Sequence, residues 1–326
     1  MPRRTLIKWI AAPLLAIAAL LFIGFLAFVP SSREPGYTFV TAWGEPGRAP
    51  GQFRDPTGIA VADGEVFVAD SRNGRIQVFD ANGGLKRQFG TPGEAPGELG
   101  RPMNLTIHDD ELYVAEYFND RIQVFDLEGS PKRTIGGPGT GPGQFNAPGG
   151  AAVANGGSIF VADFYNQRVQ HFDSHGSFVR QWGTTGKVGI AAGQLNYPTD
   201  VALAADDTLY IADGYNDRIQ VFDPQGGFVR KWGGPFGMNI FGPFNGWFST
   251  VTGIAIGPDG TLFTADFYND RIQKFAPDGT FLTAFGETGS GPGQFGHAIA
   301  VAVAGDGTVF VADFLNNRVQ KWRPPR

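Results

Sequence analysis

Residues 209–233 read LYIADGYNDRIQVFDPQGGFVRKWG, and five further stretches repeat that string with small changes. From residue 66 the chain reads VFVADSRNGRIQVFDANGGLKRQFG, and from 112 LYVAEYFNDRIQVFDLEGSPKRTIG. From 159 it reads IFVADFYNQRVQHFDSHGSFVRQWG, and from 262 LFTADFYNDRIQKFAPDGTFLTAFG; the sixth copy, VFVADFLNNRVQKW from 309, stops early. A unit recurring every roughly 45–55 residues sets the architecture, because each unit buries its apolar face only against its neighbour. Within a copy, apolar and polar residues alternate with period two (Leu209, Ile211, then Ile219, Val221), the pattern of half-buried strands. Residues 213–216 and the DPQGG at 223–227 are turns, and an apolar run at 201–204 after Pro198 supplies one more strand. Four short antiparallel strands per unit, six units and almost no helical periodicity predict an all-β fold, a six-bladed β-propeller.

The two ends sharpen this expectation. The sixth copy lacks its fourth strand, whereas residues 36–44, GYTFVTAWG, match the GTFLTAFG that ends the fifth copy at 279–286. The N-terminal strand should therefore complete the last blade and close the ring, leaving no open edge to pair with other chains. Taken together, Gly-Gln-Phe then Pro, an apolar strand, V-A-D-x-x-N-x-R-I-Q-V-F, a turn and a strand ending in Trp/Phe-Gly resemble the NHL-repeat family over about residues 36–326. That resemblance implies a propeller, and such propellers include protein-binding modules, RNA-binding domains, sensors and a few enzymes.

Ahead of the repeats, residues 1–8 carry Arg3, Arg4 and Lys8 without an acid, and residues 9–29 are uncharged and almost wholly apolar. As a helix this run would span roughly 31 Å, about one bilayer core. A transmembrane signal-anchor is the expectation, with the basic segment cytoplasmic and the propeller periplasmic or extracellular. A cleaved signal peptide is the competing reading, but its apolar core is usually shorter. Residues 30–35 read as a polar linker. There is no cysteine, hence no disulfide framework. Net charge is −5; setting aside Arg3, Arg4 and Lys8 leaves 23 basic against 31 acidic residues, or −8. A nucleic-acid backbone would call for the opposite balance, so no nucleic-acid partner is expected. The 48 glycines recur in turns and interblade loops that lead into strands, unlike phosphate-binding loops, which lead into helices.

Four constellations stand out. The sixfold Asp/Glu-x-x-Asn-x-Arg set (Asp70/Asn73/Arg75 through Asp313/Asn316/Arg318) reads as turn capping and strand tying. Inside that turn the two residues after the acid vary, and five of six copies carry an aromatic. Arg72, Tyr117, Phe118, Phe164, Tyr165, Tyr215, Phe267, Tyr268 and Phe314 are the candidate ligand-binding face, with packing under the long loops as the alternative. The long apolar loop at 233–251, with Phe241, Phe244, Trp247 and Phe248, reads as a lid or a partner-binding patch. At the mouth of the channel, Asn104 and Asp200 are the polar residues, too few to define a calcium site.

Blade four also resembles the peptidyl-hydroxyglycine amidating lyases, NHL-type propellers with a histidine-held zinc. Tyr215 falls where those enzymes carry an active-site tyrosine, and Arg72 near their arginine. The positions of their histidines hold Thr57, Met103, Gly149, Thr199, Thr252 and Ile299 here, and His297 lies one or two residues early. With no ligand set for zinc and no triad, no catalytic or metal-binding residue and no cofactor is assigned. The expected function is a membrane-anchored, extracytoplasmic scaffold or sensor binding a protein, peptide or envelope ligand. The alternative is a metal-dependent lyase or hydrolase using calcium or zinc.

Overall fold

A computed structural model describes residues 28–325. Six four-stranded antiparallel sheets form the blades of a propeller. Blade 4 is typical: Pro198–Leu203 innermost, then Leu209–Asp213, Arg218–Phe222 and Phe228–Trp232. Blades 1, 2, 3 and 5 begin at Pro56–Ala62, Pro102–His108, Pro148–Val153 and Val251–Ile256. Blade 6 takes Ala298–Val303, Val309–Asp313 and Arg318–Arg323 from the end of the chain, and its outer strand is Thr38–Trp43. Thr38 pairs with Arg323 and Trp43 with Val319, so the expected closure is present.

The core lies between blades. Ile59, Val66, Val68 and Phe79 of blade 1 pack with Ala300, Phe310, Ala312 and Val319 of blade 6, and five similar clusters complete the ring. Around the channel the inner strands nearly touch. A Cβ on Gly58 would lie 2.0 Å from the carbonyl oxygen of Met103, and one on Gly149 2.3 Å from that of Thr199. These positions admit no side chain.

The acid of each repeat does tie the blade, but not by capping its own turn. In blade 4 the buried Asp213 accepts from Arg218 Nε (2.7 Å), Asn216 Nδ2 (2.9 Å), Gln220 Nε2 (3.0 Å) and the backbone N–H of Asn196 (2.7 Å). Arg218 also donates to the carbonyls of Ala191 and Gln194, so the network clamps the interblade loop onto the blade. The turn itself closes through the backbone, Asp217 N–H to Gly214 C=O. The glutamine two residues after each arginine is equally buried and belongs to the same clamp.

Nearly all of the expected anchor, residues 9–29, lies outside the described residues; only Phe28 and Val29 fall within them. Among the described residues no helix is long and apolar enough to cross a membrane. The expected linker is held against blade 5. The N–H groups of Arg33 and Glu34 donate to Leu282 C=O, and Lys274 pairs with Glu34 at 2.9 Å.

Candidate functional site: an aromatic recess over the channel

Second and third strands of each blade meet in a turn on the ring face that also carries the interblade loops. Their backbones join: Phe267 and Tyr268 N–H donate to the carbonyls of Thr250 and Ser249, and Tyr215 N–H to that of Asn196. Every residue just before an inner strand (Asp55, Arg101, Ala147, Tyr197, Thr250, His297) has a positive φ of 49–65°.

A recess of about 240 Å³ opens at the channel mouth, walled by Tyr117, Phe164, Tyr215, Phe267 and Tyr268. Its floor is Thr57, Met103, Asn104, Thr199, Thr252 and Ile299, with no charged side chain in the lining. Tyr117 donates to the Tyr165 hydroxyl at 2.7 Å, and burial raises the Tyr117 and Tyr215 phenols above the usual tyrosine range. Tyr215 and Tyr268 nevertheless remain 48% and 59% exposed, so they are not packed under loops.

The other expected face residues stand outside the wall. Phe118 is exposed and lies under the Arg101 guanidinium, 5.4 Å from ring centroid to Cζ. Tyr165 supports Tyr117 from behind. Phe314 packs on Phe267 at 6.1 Å. Arg72 is paired with Asp55 beside a separate groove between blades 1 and 2, so its charge is not offered to the recess.

Two further expectations need correction. The loop at 233–251 is not a lid, since of its residues only Thr250 lines the recess. Phe248 is fully buried and Trp247 nearly so, because the GWF at 246–248 stands where other blades have Gly-Gln/Glu-Phe/Leu and is clamped the same way: Gln273 and Arg271 donate to the Trp247 carbonyl at 2.6 and 3.0 Å. Phe244 packs edge-on against Trp247 at 5.1 Å, and only Phe241 of the four is exposed. Asp200 does not reach the mouth either. Only 2% exposed, it accepts from Asn104 Nδ2 (2.6 Å) and Ile254 N–H (3.0 Å). The Asn104–Asp200 pair separates the recess from a lower cavity of about 280 Å³, and burial pushes the Asp200 carboxyl up to about 7.

Sequence reasoning missed Tyr197, which packs on Phe164 and Tyr215, each at 4.9 Å, and weighed His297 only as a metal ligand, whereas it packs on Phe267 at 4.4 Å. His297 also meets Asp270 through Nδ1 at 3.0 Å. The readable signal was their shared place one residue before the inner strand. Among the described residues no group of three His, Asp or Glu side chains comes together as a metal site.

The NHL repeat family matches residues 53–79 and 195–222, and a family described as a 6-bladed beta-propeller matches residues 98–183. The chain therefore carries NHL repeats in a six-bladed β-propeller. It is similar to Protein brain tumor of Drosophila melanogaster, 50% identical over 48 residues that make up 14% of this chain and 5% of that protein. The chain thus spans about a twentieth of the length of that relative. Among solved structures it is similar to a protein from Bacteroides thetaiotaomicron VPI-5482, with TM-score 0.69 and 15% identity over 88% of this chain and 76% of that one. It is also similar to a catalytically inactive virginiamycin B lyase from Staphylococcus aureus, solved with Quinupristin, with TM-score 0.55 and 19% identity over 88% and 87%. At these identities both structures speak for the fold alone.

Proposed function

We propose that the chain is a membrane-anchored binding scaffold, held by residues 9–29 with its propeller outside the cytoplasm, that takes a protein or peptide partner in the aromatic recess. The observation that carries this reading is the recess itself. Aromatic side chains from four consecutive blades meet over an uncharged floor, and two of them stay half-exposed. An aromatic wall recognises an apolar or aromatic side chain, and the hydroxyl oxygens of Thr199 and Thr252, whose protons are given to the carbonyls of Val251 and Ile299, can accept an N–H of the backbone that carries it. The NHL and propeller matches are compatible with protein binding.

The test is peptide selection from a random display library on the immobilised chain. Selected sequences should share an aromatic or large apolar anchor. Tyr215→Ala combined with Tyr268→Ala should weaken their binding at least about tenfold, the scale of one lost hot spot. The melting temperature should hold, because both rings are half-exposed. Equal binding by the double variant would sink the recess as the site, and loss of folding would show these rings to be packing residues.

A further inference from the structure

The largest accumulation of exposed apolar side chains on the described surface is away from the recess. Phe236, Met238, Ile240 and Phe241 of the loop after blade 4 are 44–71% exposed, and Val188 and Ile190 of the loop before blade 4 are 60% and 46% exposed. The two loops are neighbours, because Arg218 Nη1 donates to the carbonyls of both Ile190 and Gly237, and Lys231 Nζ also reaches Ile190 C=O. Neither loop carries an acid: residues 181–199 have Lys187 as their sole charge, and residues 224–258 have only Arg230 and Lys231. What sets this surface apart is that the absence of acids coincides with the exposed apolar cluster; the acid-free residues 129–162 carry no such cluster.

The apolar N-terminal run arrives at the same place. The Phe28 ring meets Phe236 edge-on at 5.0 Å, Trp247 Nε1 donates to the Phe28 carbonyl, and Pro30 lies against Gly246. We propose that residues 188–190 and 236–241 form a bilayer-docking surface that dips into the lipid interface beside the anchor, with Lys187 toward the headgroups. Aromatic and aliphatic side chains flanked by lysine suit that boundary. With charge screened over roughly 8–10 Å, local composition decides how a surface meets anionic headgroups, and an acid-free patch with a lysine is not repelled. The proposal rests on the reading of residues 9–29 as an anchor, and it adds that the ring is held against the membrane at one rim instead of swinging free.

The chain has no cysteine, so one introduced thiol labels one place. Phe241→Cys, Val188→Cys and, as a control on blade 1, the exposed Leu85→Cys would each carry an environment-sensitive nitrobenzoxadiazole probe. Each full-length variant is reconstituted into phosphatidylcholine–phosphatidylglycerol vesicles with or without brominated acyl chains. Probes at 241 and 188 should shift to the blue and lose most of their emission to brominated lipid, and the probe at 85 should do neither. Phe236→Ser with Ile240→Ser should largely abolish quenching at 188 while the chain still floats with the vesicles. A chain that floats with position 241 unquenched overturns the docking surface and leaves the anchor standing. A probe at 241 that is already blue-shifted without lipid and never quenched also overturns it, and assigns the patch to the chain's own apolar run. A chain that does not float overturns the anchor reading and this proposal together.

Discussion

Burial holds the Asp200 carboxyl far from its behaviour in water. It is buried without a cation, and its pKa of about 7 stands well above the roughly 3.9 of an unfolded chain. Between about pH 4 and pH 7 the folded protein keeps a proton that the unfolded chain has released. Stability therefore falls as pH rises through that window and levels off above it, by an amount on the order of a few kcal/mol. Asp200→Asn keeps an acceptor for the Ile254 N–H and removes the titration. Melting curves of the variant should fall less steeply from pH 4 to 7 than those of the parent chain, and identical slopes would sink the assignment. The comparison isolates Asp200 from Asp163, Asp213 and Asp266, whose pKa values burial also raises but which each face an arginine at 2.7–2.8 Å. At this scale the sequence was only partly legible. Asn104 and Asp200 stand out as polar residues at the start of inner strands, yet their pairing spans 96 residues, and only the ring brings them together. The sixfold acid was read correctly as structural. Its true partners, the interblade loop and the buried glutamine, went unread because the clamp closes onto the preceding loop and not within the turn.

Between neighbouring blades the recurring device is one side chain. The residue after each motif asparagine is left-handed, and in five seams it accepts the N–H of the residue before the next inner strand. Asp120 takes Ala147, Gln167 takes Tyr197, Asp217 takes Thr250, Asp270 takes His297 and Asn317 takes Asp55, at 2.6–3.0 Å. Blade 1 has Gly74 there, with φ +61°, and its seam with blade 2 opens into the groove beside Arg72 and Arg101. The repeat pattern suggests Gly74→Asp as a repair, but the local geometry argues against it. A Cβ at Gly74 would lie 2.9 Å from Pro92 Cα and 3.0 Å from Pro92 N, backbone that cannot turn aside. Gly74→Asp should therefore lower stability by about 1–3 kcal/mol, the usual cost of overpacking. A higher melting temperature in calorimetry would show that the tie outweighs the clash. The apolar loop shows the same limit on reading by element. Its GWF could be aligned with Gly-Gln-Phe, which would have marked Trp247 and Phe248 as core and left residues 234–241 as the insertion. Hydrophobicity alone gave Phe241, Phe244, Trp247 and Phe248 equal weight.

Over the whole molecule, the repeat made the architecture legible, because six copies of one unit admit few arrangements and the displaced strand admits one. The recess was legible as a set of aromatic turns. Which turns would meet was not, since that depends on curvature around the ring and on kinks at residues such as Tyr197. Closure is also where the molecule is most open to challenge. Thr38–Trp43 brings Phe39 onto Trp322, and Trp43 onto Phe79 of blade 1 and Phe310 of blade 6, while Tyr37 just before it stacks on Phe285 of blade 5. Tyr37 is buried and Phe39 and Trp43 are part-buried, and at up to about 1.5–3 kcal/mol for each fully buried ring their loss is a sizeable share of the net stability of an ordinary domain, about 5–15 kcal/mol. Deleting residues 36–44 also leaves the strand Arg318–Arg323 with an unpaired edge. The deleted chain should melt far below the parent, or unfold without a cooperative transition. The peptide GYTFVTAWG added in trans should raise its melting temperature in a concentration-dependent way, because a ligand that binds only the folded ring stabilises it by mass action. A scrambled peptide should not. An unchanged melt on deletion would mean that the ring holds without its strand. A low melt that the peptide cannot raise would mean that residues 36–44 matter for some reason other than completing blade 6.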